Sequence, residues 1–260
     1  MNTKGEEGKY IPGIFNYCDR WCERCPFSKQ CQNFQIQSDI DFNDENYNLN
    51  AFAALVQRNL KDAVDMLEKI AKETGVDWQE VKKGAESHAY IPPPFTTAQK
   101  TIQSLSKQYY KKAQFWLESN EDLIKEKEIE INRKRKIGIN VEKEVDKLNE
   151  AFSNIYYYLE FIDPKIRRAI EGLHDKWTMS LSPIQNDATG TAKIAIIAIE
   201  KSMASWNYLR NQVPDTDDDA LDILVNLSRM LEDMKKEFPK VDEFVRPGFD
   251  EMGDAVSDSF

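Results

Sequence analysis

Beyond residue 31 this chain of 260 residues contains no cysteine, and its four thiols all fall at Cys18, Cys22, Cys25 and Cys31. A disulfide-stapled scaffold spreads its cysteines through the fold, so this distribution argues against one and points to a shared ligand. Histidine is scarcer still: His88 and His174 are the only two. Any metal site away from the cysteines would therefore rest mainly on carboxylates. No apolar run approaches the roughly 20 residues needed to cross a bilayer. Met1 to Glu7 lacks the greasy stretch of a secretory signal. The expectation is a cytoplasmic protein with no membrane association, whose thiols stay reduced and read as metal ligands. Only ten glycines are present, no segment alternates convincingly as a strand or hairpin, and no repeat of fixed period appears.

What is present is ordinary for a globular chain, 41% apolar and 31% charged residues. The length suffices for one large domain or two small ones with their own core. Net charge is −10, concentrated at the end: residues 214–260 hold fourteen acidic and five basic residues, whereas residues 1–40 hold five of each. An acidic surface repels phosphate backbones, so nucleic acid is not an expected partner. A protein partner, or self-association through helical faces, is.

Helical signals dominate after residue 45. Phe52, Leu55, Val56, Leu60, Ala63, Met66, Leu67 and Ile70 recur every three or four residues and define one apolar stripe. Gly75 should stop that helix, and Asp77 with Glu80 reads as a capping pair for a short helix reaching His88. Ile91-Pro92-Pro93-Pro94 must be extended. Thr96 or Thr97 caps a helix carrying Leu105, Tyr109, Phe115 and Trp116, whose charged tail Lys125 to Lys136 projects into water. Gly138 marks a break, a helix follows from about Val141 to Phe161, and Asp163-Pro164 opens another. Ala192, Ala195, Ile196, Ile199, Met203 and Trp206 make a helix apolar almost all round, the most buried of the set. Leu221 to Phe238 forms the last amphipathic helix. The fold class is therefore all-α: a multi-helix bundle over residues 46–246, a small N-terminal four-cysteine metal-binding cap over 1–45, and an acidic flexible tail over 247–260.

In the cap, Asn16 can begin a short helix that must end before Pro26. Cys18, Cys22 and Cys25 would then share one stripe, and Cys31 would fold back to face them after the proline. Four thiolates in so little chain make a closed site with a structural role. Structural zinc accepts four cysteines, usually from two separated pairs. Iron–sulfur clusters draw ligands from one short run with proline beside a ligand. Cys22-Glu23-Arg24-Cys25-Pro26-Phe27-Ser28-Lys29-Gln30-Cys31 resembles the last three ligands of the [4Fe–4S] loop of helix-hairpin-helix DNA glycosylases. That resemblance covers residues 18–31 and implies that Cys22, Cys25 and Cys31 ligate a cluster, with Cys18 as the fourth. The first spacer is shorter than in those enzymes, and their catalytic hairpin is absent. Cys18-x₃-Cys22-x₂-Cys25 also has the spacing of the radical S-adenosylmethionine signature, but that chemistry needs a β/α barrel and an open iron. Eight nearby aromatic residues, Tyr10, Phe15, Tyr17, Trp21, Phe27, Phe34, Phe42 and Tyr47, either shield the site or form the cap's own core. The cofactor expected is one [4Fe–4S] cluster or one zinc ion.

The bundle offers a weaker second site. Glu171-x-x-His174 has the spacing used by di-iron bundles, and Glu118, Glu160 and Glu200 sit within apolar helical stretches. Together they approximate a ferritin-like carboxylate site, although its second Glu-x-x-His is missing. Arg168-x₅-His174 is similar to the spacing of HEPN ribonuclease bundles, without the usual polar residue after the arginine. Asp187 to Thr191 could present amides to an anion, or simply cap a helix. The leading functional expectation is a non-catalytic binding or scaffold protein with a metal-stabilised cap. A redox iron–sulfur protein and a helical-bundle enzyme are the alternatives.

Overall fold

A computed structural model describes residues 10–38, 49–87, 94–175, 179, 182–213 and 217–250. Among these residues every regular element is helical and no strand occurs, as the periodicity requires. The chain separates into two compact units, one formed by residues 1–27 with 93–260 and the other by residues 28–92.

The smaller unit holds α1 (Gln32–Ser38), α2 (Leu49–Thr74) and α3 (Trp78–Ser87). Gly75 ends α2 as the sequence implies: it adopts φ +75°, and the Val76 amide donates back to the Ala71 carbonyl at 2.9 Å. Asp77 then accepts from the Gln79 amide at 2.8 Å and starts α3. His88 and the Ile91 to Pro93 stretch lie outside the described residues.

The larger unit is built on α4 (Thr97–Ser119), α5 (Glu121–Lys136), α6 (Glu142–Gly172), α7 (Asp187–Arg210) and α8 (Asp217–Glu237). Four of these close a ring in which α4 packs on α6 and α8, and α7 packs on α6 and α8. Each neighbouring pair runs antiparallel, as the polar contacts across the seams show. Tyr110 meets Glu160 between α4 and α6, and Asn154 meets Ser205 between α6 and α7. Lys235 meets Glu200 between α7 and α8, and Gln99 meets Glu237 between α4 and α8. The interior is apolar: Ile102, Tyr109, Trp116, Ile155, Ile162, Ile166, Ile199, Trp206 and Met230 are at most 1% exposed. Each such large side chain contributes about 1.5–3 kcal/mol by leaving water. Trp116 and Trp206 meet edge to face at 5.0 Å, and the Trp206 ring N–H donates to Tyr109 at 3.3 Å.

The helix ends follow local chemistry. Thr96 and Gln99 form a reciprocal capping box at the start of α4. Asn186, rather than Asp187, caps α7 by accepting from the Thr189 amide at 2.9 Å. The expected burial of this helix holds, with fourteen of its residues inside. Two expectations are corrected. The charged tail after Ser119 is a separate helix, α5, because Asn120 breaks the run and Ile131 turns inward. Asp163-Pro164 opens no new helix; α6 runs unbroken through Pro164. An interior proline costs about 3 kcal/mol, yet the buried stripe Tyr158, Ile162, Ile166, Ala169 and Ile170 continues across it and outweighs that cost. Asp163 instead accepts from Ser106 across the α4 seam and pairs with Arg167.

Candidate functional site

Residues 10–27 belong to the larger unit and lie on its bundle. The sequence predicts a helix there with three thiols on one stripe, and the structure has none. Ile14–Asn16 and Cys22–Arg24 form separate 3₁₀ turns, and Arg20 between them has φ +61°, which no right-handed helix accommodates. The reason is what Asp19 does. Its carboxylate accepts from the Trp21 amide at 3.1 Å and from the buried Tyr158 hydroxyl at 2.8 Å. Its backbone carbonyl accepts from the Tyr157 hydroxyl, also at 2.8 Å. Lys201 approaches the same carboxylate at 3.8 Å. Consecutive tyrosines of α6 thus grip one residue of the cysteine segment by side chain and main chain together.

Rings complete the attachment. Trp21 stacks on Tyr157 with centroids 4.2 Å apart, and the Arg24 guanidinium lies 3.9 Å over the Trp21 ring. Tyr17 packs edge-on against Phe244 at 4.8 Å, and Phe27 against Phe249 at 4.9 Å. Both Tyr17 and Phe244 press on the backbone of Gly190, where a Cβ would lie 2.5 Å from either ring. Three of the six aromatic residues around the cysteines that fall in the described region, Tyr17, Trp21 and Phe27, therefore serve attachment. The segment 244–250 is held in turn: Asp250 pairs with Arg246 at 2.8 Å and Lys193 at 2.9 Å, and Lys193 donates to the Phe244 carbonyl. The tail read as starting at 247 thus begins with four anchored residues, and residues 251–260 lie outside the described ones.

Both gripping tyrosines hold their protons more tightly than a free phenol does. Burial first, and then Asp19, Cys22, Glu23 and Cys18 as negative neighbours, together push the Tyr157 hydroxyl up to about 12. Burial, then Asp19, raises Tyr158 further. Lys165 is lowered by burial, then by Arg20 and Arg168, with Cys18 and Asp187 acting in opposition. The Cys18 thiol donates to the Phe15 carbonyl at 3.6 Å. Cys31 is buried and falls in the smaller unit, at the turn before α1. None of the four is disulfide-bonded. Among the described residues no three His, Cys, Asp or Glu side chains are grouped closely enough to hold a metal ion.

The carboxylate site expected in the bundle does not assemble. Glu118, Glu160, Glu171 and Glu200 are all exposed on outer helix faces. Glu118 accepts from Gln114 on its own helix at 3.0 Å, Glu160 from Tyr110, and Glu200 pairs with Lys235. His174 is half-buried just beyond α6, its ring 5.9 Å from Phe95. The inward positions between those glutamates are taken by isoleucine, leucine and tyrosine, which leave the core no room for charge. Arg168, the arginine of the HEPN-like spacing, forms a two-pronged pair with Asp187 at 2.7 and 3.1 Å.

Comparison of the chain with protein-family models, with curated proteins and with solved structures finds no match in any of the three.

Proposed function

We propose that this chain is a non-catalytic helical scaffold whose N-terminal segment carries one metal centre, a [4Fe–4S] cluster or a zinc ion, ligated by cysteine. Cys18, Cys22 and Cys25 supply thiolates from the segment fixed on α6, and the sequence offers Cys31, six residues further on, as the fourth. The observation that carries the reading is the grip of Tyr157 and Tyr158 on Asp19. It fixes a cysteine-bearing segment of irregular backbone on a rigid helix. Soft thiolates suit both candidate metals, and ligand side chains commonly converge only when the ion arrives. The short decamer similar to the glycosylase cluster loop favours iron.

The partner of such a scaffold is a protein or a second copy engaged through helical faces. The test is the metal content of the purified chain and of Cys22→Ser and Cys25→Ser. Loss of stoichiometric metal in both variants, with most helix content kept, supports the reading. Full occupancy in both would remove these residues as ligands. A reversible redox couple in the wild-type chain would shift the role from structural support to electron transfer.

A further inference from the structure

The hairpin of α5 and α6 ends in an apex unlike the rest of this acidic chain. Between Ile131 and Val141 stand Arg133, Lys134, Arg135 and Lys136 with no carboxylate, in a protein of net charge −10. The turn that follows is Ile137-Gly138-Ile139, and its two isoleucines are 74% and 49% exposed. They are held out rather than loose. The Ile137 amide donates to the Arg133 and Lys134 carbonyls, and the Ile139 amide donates to Lys134 at 3.0 Å. Gly138 sits at φ +82° with open space around it. Further back on α5, Ile129 is 50% exposed. Ile129, Arg133, Lys136 and Ile137 follow 3.6-residue spacing, so they share one stripe.

A basic last turn is itself favourable at the negative end of a helix, and that accounts for the cations. It does not account for aliphatic side chains fixed in water at the apex. We infer that this apex docks on an anionic lipid surface, with Ile137 and Ile139 entering the headgroup boundary and Arg133 and Lys136 contacting acidic headgroups. Lys134 and Arg135 are partly engaged by Glu130, Glu144 and Glu142, whereas Arg133 and Lys136 make no ion pair among the described residues. An anionic surface is repelled by the net negative charge of this chain and attracted to the cationic apex, so charge sets the orientation. Lipid is favoured over nucleic acid because the apex offers branched aliphatic groups and no aromatic ring to stack on a base.

The test is co-sedimentation of the full chain with phosphatidylcholine vesicles containing or lacking phosphatidylserine. Binding to the serine-containing vesicles alone, weakened by salt, is expected. Replacing Arg133 and Lys136 by Gln should weaken it about fivefold per residue. Replacing Ile137 and Ile139 together by Ser should weaken it about tenfold. All four side chains are exposed, so circular dichroism and melting should not change. No sedimentation at low salt overturns the inference, as does unchanged binding in the isoleucine variant. Tighter binding to a nucleic-acid duplex than to vesicles would likewise overturn it.

Discussion

Replacing Asp19 by Ala should loosen the cysteine segment in a way that depends on Tyr158. In the native chain the Asp19 carboxylate accepts from the buried Tyr158 hydroxyl at 2.8 Å and from the Trp21 amide at 3.1 Å. A hydrogen bond to a charged group is worth about 1.5–3 kcal/mol, and an orphaned buried donor keeps its desolvation cost. Asp19→Ala should therefore cost about 2.5 kcal/mol, roughly 1.5 from Tyr158 and 1 from Trp21. Tyr158→Phe should cost about 1.5, because the carboxylate it abandons is only half-buried. In the double variant the shared bond is lost once, so the total should stay near 2.5 and the coupling near 1.5 kcal/mol. Urea unfolding of the four proteins measures these values, and amide exchange over residues 14–25 reports where the loosening occurs. Additivity within about 0.5 kcal/mol, with unchanged exchange in that segment, would refute the proposed grip.

Other expectations follow from the same contacts. Gly190→Ala should destabilise by about 1–3 kcal/mol through overpacking against Tyr17 and Phe244, although alanine normally helps a helix interior by up to about 1 kcal/mol. Thermal melting reads the sign. Burial would push Asp250 up, but hydrogen bonds from Arg246 and Lys193 outweigh it and hold the carboxyl at about 2. Its folded value lies below the unfolded one, so its contribution is full above about pH 4 and is lost as pH falls from there toward 2. With allowance for solvent at a partly exposed pair this amounts to about 1 kcal/mol, and Asp250→Asn should remove that part of the acid slope. Trp21→Ala should raise amide exchange in the cysteine segment and leave the bundle core protected, because the stack on Tyr157 lies outside the main core. Exchange in Ile155 or Ile199 rising equally would contradict that placement.

The architecture was legible because helical periodicity and caps act over a few residues. The fully apolar face of α7, the stop at Gly75 and the capping threonine before α4 all follow from local rules. Pro164 misleads for the opposite reason: a stripe spanning both of its sides overrides a local prohibition. The glutamates mislead because chain neighbours are not helix-face neighbours. Glu160 follows Tyr157, Tyr158 and Leu159, yet its own position faces outward, as does that of Tyr156 one turn before it. The grip on Asp19 could not be read, since 138 and 139 positions separate it from Tyr157 and Tyr158. The run of three tyrosines was the one available signal. It marks a helix face with hydroxyls to place, but not what they bind.

The most direct measurement is X-ray absorption at the metal edge of the wild-type chain, purified without air. The proposal requires stoichiometric iron or zinc with a first shell of sulfur alone, at about 2.3 Å where the metal is zinc. A chain that holds no metal after anaerobic reconstitution, or one whose metal is surrounded by oxygen and nitrogen, would contradict it.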